Sequence, residues 1–128
     1  MLGKAQILVV EDSADTRELI SYILLSENYE VALAEDGAEA LEMIERERPD
    51  LILTDVMMPR MTGVDLISRL KARPELAGLP VVAMSAYGDH LAKAYLIGAA
   101  ATVRKPFDFM DLLRTIDSLL PEEAGTWH

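Results

Sequence analysis

Apolar residues in this chain alternate between two textures: short unbroken runs of strand length, and longer stretches where they recur every three or four positions. Gln6-Ile-Leu-Val-Val10 is the first run, and Glu11-Asp12-Ser13 closes it before a helical pattern begins. From Asp15 to Ser26 that pattern turns Leu19, Ile20, Ile23 and Leu24 inward, with Ser13 as N-cap and Asp15 favourable to the helix dipole. Glu30-Val-Ala-Leu-Ala34 predicts a second strand. Asp36-Gly-Ala-Glu39 has the spacing of a capping box and opens a helix that buries Ala40, Leu41 and Ile44 and has ended by Pro49. Leu51-Ile-Leu-Thr-Asp55 is too short for a helix, and its apolar run suits a strand covered on both faces. Beyond the Pro59 to Gly63 loop, a helix carries Val64, Leu66, Ile67 and Leu70 inward and stops before Pro74. Pro80-Val-Val-Ala-Met84 predicts the fourth strand, ending at Ser85, and a helix from Asp89 to Ile97 is closed by Gly98 at C′. Ala101-Thr-Val-Arg104 is the fifth strand. Asp108 caps a last helix with Leu112, Leu113, Ile116, Leu119 and Leu120 inward, and Pro121 ends it.

Five strands alternating with five helices, joined by short connections, predict a parallel sheet with right-handed crossovers and helices on both faces. The fold class is therefore α/β, a doubly wound five-stranded parallel sheet. One domain spans residues 1–121, and residues 122–128 form a tail with no periodic pattern. In such sheets ligands sit beyond the carboxyl ends of the strands, where strand order reverses. The chain concentrates its chemistry there: Glu11 and Asp12 follow the first strand, Asp55 the third, Ser85 the fourth and Lys105 the fifth.

Charge and composition narrow what that edge can do. The 128 residues carry 12 Lys and Arg against 22 Asp and Glu, a net charge of −10 with no basic run, so direct nucleic-acid binding is not expected. There is no cysteine, which excludes thiolate metal sites and Cys nucleophiles. No apolar run reaches the roughly 18 residues needed to cross a membrane, and no signal peptide precedes the first strand, so a cytoplasmic chain is expected. His90 and His128 lie in no metal or phosphohistidine motif and read as surface residues. Converging carboxylates repel one another unless a cation stands among them, and an all-oxygen donor set suits Mg²⁺.

Glu11-Asp12, Asp55-Val-Met-Met-Pro59 with Gly63, Ser85-Ala86 and Lys105-Pro106-Phe107, in this order, closely resemble the receiver domains of two-component response regulators. The likeness runs from about Gln6 to Leu120. It implies a flavodoxin-like (βα)5 fold with strand order 2-1-3-4-5. It also implies Asp55 as phosphoacceptor, with Mg²⁺ held by Asp12, Asp55 and the backbone carbonyl of Met57, and by Glu11 through water. Lys105 would then pair with Asp55 before transfer and with a phosphoryl oxygen afterwards, and Ser85 would sense the phosphoryl group. Met57 and Tyr87 would flank it and tune its lifetime, and Lys105-Pro106 would correspond to the family's cis-proline peptide.

By the same resemblance the phosphoryl donor is a sensor histidine kinase or a histidine phosphotransfer protein. Output runs to a protein target through the face of helix 4, strand 5 and helix 5, and homodimerisation on phosphorylation is left open. The chain is not expected to act on a separate substrate; it catalyses only phosphotransfer and dephosphorylation at Asp55. One position departs from the pattern: Thr102 stands where the family usually carries the aromatic switch residue. Its alternative reading is a receiver-like interaction module whose phosphorylation is absent or uncoupled from output. A haloacid-dehalogenase-like phosphatase would need a second acid where Met57 stands. An FMN binder would not place Glu11 and Asp12 in its phosphate loop.

Overall fold

The computed structural model describes residues 5–58 and 60–120. Pro59, the helix end ascribed to Pro121, and the tail of 122–128, with His128 in it, lie outside the described residues. Five strands, β1 (Gln6–Val10), β2 (Glu30–Ala34), β3 (Leu51–Asp55), β4 (Val81–Ser85) and β5 (Ala101–Arg104), alternate with five helices. These are α1 (Ala14–Ser26), α2 (Gly37–Arg46), α3 (Gly63–Lys71), α4 (Gly88–Leu96) and α5 (Phe109–Leu119). All pairings are parallel and the order is β2-β1-β3-β4-β5, the order expected from the resemblance.

The strand period of two divides the core into two layers. Ile7, Val9, Leu51, Leu53, Val82, Met84 and Val103 pack with Ile20, Ile23 and Leu24 of α1 and Leu112, Leu113 and Ile116 of α5. Leu8, Val10, Ile52, Val81 and Ala83 face the other way, against α2, α3 and α4. Every residue of β3 and β4 is buried, which explains their unbroken apolar runs. Each fully buried Leu or Ile contributes about 1.5–3 kcal/mol relative to exposure.

Helix starts follow local chemistry. Ser13 Oγ accepts from the Thr16 amide, Asp36 from the Glu39 amide and Asp108 from the Met110 amide. At α2 the box is only half made, because the Glu39 carboxylate accepts from the Glu35 amide at 2.7 Å rather than from its N-cap. A complete capping box forms instead at α3, between Thr62 and Asp65. Gly98, at φ 124°, sits just past the end of α4.

Two burial expectations are corrected. Leu19 is 47% exposed, because α1 presents Ile20, Ile23 and Leu24 to the sheet and Leu19 falls beyond the edge of that stripe. His90 is half-buried, its ring 5.3 Å from that of Tyr87 and its Nδ1 enclosed without a hydrogen-bond partner among the described residues. The turn of α4 that buries Leu91 carries it partly under cover.

Candidate functional site

Strand order reverses between β1 and β3, and the acids gather where those two strands end. Sheet hydrogen bonding continues past the strands and fixes the backbone there. The Glu11 amide donates to the Ala34 carbonyl at 3.0 Å, Val56 to Met84 at 2.9 Å and Lys105 to Ser85 at 2.9 Å. Side-chain alternation does the rest. Glu11 continues the parity of Ile7 and Val9, Asp55 that of Leu51 and Leu53, and Lys105 that of Val103, so all three emerge on one side of the sheet edge. Ser85 continues the opposite parity, that of Val81 and Ala83.

Glu11, Asp12 and Asp55 each offer a carboxylate oxygen within 4.8 Å of the others. Lys105 Nζ lies 2.9 Å from Glu11 Oε1 and 3.2 Å from Asp55 Oδ2, so one ammonium serves two carboxylates. Burial pushes the Glu11 pKa above its ordinary value of 4.5, and the nearby Asp55 charge adds to the rise, while hydrogen bonds from Lys105 and the Ser13 amide offset part of it. Burial by itself would lower the Lys105 pKa. The hydrogen bond to Glu11 and the Asp55 charge outweigh it, and the net direction is up from 10.5. Asp12 is exposed at the mouth of the cluster, whereas Glu11 and Asp55 are buried.

Around this centre stand the remaining residues singled out from sequence. Ser85 is buried and its Oγ accepts from the Tyr87 amide at 3.1 Å, which leaves its own hydrogen free to donate. Met57 is 52% exposed and its amide donates to Asp55 Oδ1 at 3.3 Å, while Met58 is buried in the core. Tyr87 is exposed, Lys105-Pro106 is a cis peptide bond, and Thr102 is half-buried on β5 opposite Ala83. Gly63 closes the site from beneath: a Cβ there would overlap the Asp55 carbonyl oxygen and lie 2.8 Å from Val56 Cα.

Three contacts escaped the sequence reading. Arg17 Nη1 donates to the Glu11 carbonyl at 2.8 Å. Arg104 Nε donates to the Ala86 carbonyl at 3.1 Å, so β5 reaches over the β4–α4 loop. Arg60 pairs with Asp36. None repeats at a helical or strand interval, so periodicity could not have found them.

Donor chemistry suits a hard divalent cation: among the described residues the cluster offers three carboxylates with no imidazole or thiolate. A cleft of about 160 Å³, lined by Gln6, Leu8, Met43 and Arg46 among others, opens at the other end of the sheet, away from these acids. Charge placement, rather than enclosed volume, marks the site.

The family model for the response regulator receiver domain matches residues 7–117, nearly the whole chain. This chain is a member of that family. Sporulation initiation phosphotransferase F of Bacillus subtilis is 33% identical over 122 residues, covering 94% of this chain and 97% of the relative. Among solved structures, the chemotaxis response regulator CheY4 of Vibrio cholerae superposes with a TM-score of 0.86 at 31% identity, covering 92% of this chain and 100% of that one. The receiver domain of a signal transduction histidine kinase from Syntrophus aciditrophicus gives a TM-score of 0.86 at 32% identity, over 91% of this receiver and 89% of that chain. The protein is thus homologous to the phosphoacceptor domains of two-component signalling, and its acidic cluster fits the Mg²⁺ that receiver domains generally bind.

Proposed function

We propose that this receiver accepts a phosphoryl group on Asp55 from a phosphohistidine of a sensor histidine kinase or histidine phosphotransfer protein, and that the modification changes its protein contacts. The observation that carries this reading is the placement of Asp55, buried beside Glu11 and Asp12 with Lys105 Nζ at 3.2 Å. An Asp55 oxygen attacks phosphorus, the phosphorus–nitrogen bond breaks, and the donor ring, protonated on its other nitrogen, leaves as neutral imidazole. Asp55 becomes an acyl phosphate. Mg²⁺ held by Asp12, Asp55 and the Met57 carbonyl, and by Glu11 through water, would neutralise charge on the phosphoryl oxygens. Lys105 then shifts from the carboxylate to a phosphoryl oxygen, and the free Ser85 hydrogen is donated to another. Water later attacks phosphorus, the bond from phosphorus to the Asp55 oxygen breaks, inorganic phosphate leaves and Asp55 is again a carboxylate, with exposed Met57 and Tyr87 controlling the approach of the water. The chain thereby acts only on itself, in the cytoplasm.

Output passes through α4, β5 and α5 to a protein target. Ser85 drawn toward the phosphoryl group pulls on the Tyr87 amide, and the β4–α4 loop is tied to β5 by Arg104 rather than by an aromatic residue at Thr102. Thr102 also favours a second reading, an interaction module with phosphorylation absent or uncoupled from output. Intact mass after incubation with acetyl phosphate and Mg²⁺ decides between them. A metal-dependent adduct on the wild type, absent in Asp55→Asn and in EDTA, is expected; a folded wild type that never forms it would sink the phosphoacceptor reading.

A further inference from the structure

Arg60 occupies the loop between β3 and α3, and its backbone takes φ 65°, a left-handed conformation uncommon for a residue with a side chain. Its side chain is tied to Asp36. The Arg60 Nε lies 3.2 Å from Asp36 Oδ2, and Nη2 donates to the same oxygen. Asp36 is 7% exposed and already committed through its other oxygen, which caps α2 by accepting from the Glu39 amide at 2.8 Å. It is a fixed anchor. The hydrogen bond from Arg60 is the main cause that lowers the Asp36 pKa from 3.8, so the anchor stays charged. A second contact supports the first: Met61 packs so closely on Gly37 that a Cβ there would meet its side chain at 2.8 Å.

We infer that the Arg60–Asp36 ion pair is a positioning contact that clips the β3–α3 loop to the start of α2 and so presents the Met57 carbonyl toward the acidic cluster. The inference rests on the phosphoacceptor reading, in which that carbonyl is a Mg²⁺ ligand. Arg60 touches neither metal nor phosphoryl group. It acts through the loop, and its removal should weaken Mg²⁺ binding without slowing the chemistry once Mg²⁺ saturates.

Calorimetric titration of the unphosphorylated chain with Mg²⁺ tests this directly, with Arg60→Gly as the decisive variant because glycine relieves the left-handed backbone while removing the clip. The expected result is an Mg²⁺ dissociation constant raised about tenfold, the lower end of the range for contacts that support metal ligands. Faster amide exchange at residues 56–58 should accompany it, with near wild-type adduct formation from acetyl phosphate at saturating Mg²⁺. Asp36→Asn should weaken binding similarly, the double variant should be no worse than either single one, and Arg60→Lys should recover part of the loss. An Arg60→Gly protein that binds Mg²⁺ as the wild type does would overturn the clip. A wild type that binds no Mg²⁺ and takes no phosphoryl group would instead overturn the reading on which it rests.

Discussion

Lys105 and Asp55, fifty residues apart in the chain, are brought to 3.2 Å by two strands that do not touch: β5 pairs with β4, and β4 with β3. The same ammonium also holds Glu11. It is the cation already present among acids that would otherwise repel one another, and its movement from carboxylate to phosphoryl oxygen is the charge transfer the proposed reaction requires.

Lys105→Ala should therefore separate chemistry from metal binding. Loss of the positive charge beside the reacting oxygen should slow adduct formation from acetyl phosphate at least tenfold, equivalent to about 1.4 kcal/mol of barrier. Mg²⁺ affinity should hold or rise, because a competitor for Glu11 and Asp55 has gone. Stopped-time intact mass and Mg²⁺ titration report the two effects, and an unchanged rate would remove Lys105 from the mechanism.

Gly63→Ala pits two magnitudes against each other. Alanine gains up to about 1 kcal/mol of helix propensity over glycine, less at a first helical residue. The added carbon meets backbone at Asp55 and Val56, which cannot turn aside as a side chain would, and overpacking of this kind costs about 1–3 kcal/mol. Urea unfolding should show a net loss of about 1–2 kcal/mol, with a reduced Asp55 adduct, because the displaced backbone carries the phosphoacceptor. A more stable variant would contradict the close approach.

Acid should expose the Asp36 contribution. Folding lowers its pKa, first through the Arg60 hydrogen bond, so the stabilisation is complete above the ordinary value of 3.8 and fades as pH falls through the folded value. Asp36→Asn keeps an acceptor for the Glu39 amide and loses the charge together with the oxygen that accepts from Arg60. Its urea midpoint should lie furthest below that of the wild type near neutral pH, and the gap should close in acid below 3.8. A gap that is constant with pH would mean that the ion pair adds nothing to stability.

Arg104→Ala bears on the substitution at Thr102. With the tie to the Ala86 carbonyl cut, amide exchange across residues 86–88 should rise several-fold in the unphosphorylated protein, and phosphorylation should change that exchange less than it does in the wild type. Equal protection in both proteins would leave the loop without a tether from β5.

Much of this was legible along the chain because its causes are local. Unbroken apolar runs mark β3 and β4 since both their faces are covered, and Ser13, Asp36 and Asp108 mark helix starts since a cap bonds amides two or three residues on. Even the gathering of Glu11, Asp55 and Lys105 on one side is written in strand parity. The order of the strands was not, and came from resemblance. Periodicity says that a strand exists and which residues share a face, but leaves open which strand lies beside which.

What depends on distance through space was decided only by the folded chain. Leu19 fits a helical stripe as well as its neighbours do, and the direction of the sheet beneath α1 is what leaves it exposed. His90 carries no motif, yet the fold buries its Nδ1. Arg60 and Asp36 lie 24 residues apart with no periodic relation, and become partners because the β3–α3 loop and the start of α2 rise from the same edge of the sheet. Sequence alone determined the elements and the residue types offered to the site. Tertiary packing decided their partners, because an ion pair or a buried amide depends on what the rest of the chain brings within 3 Å or so of it.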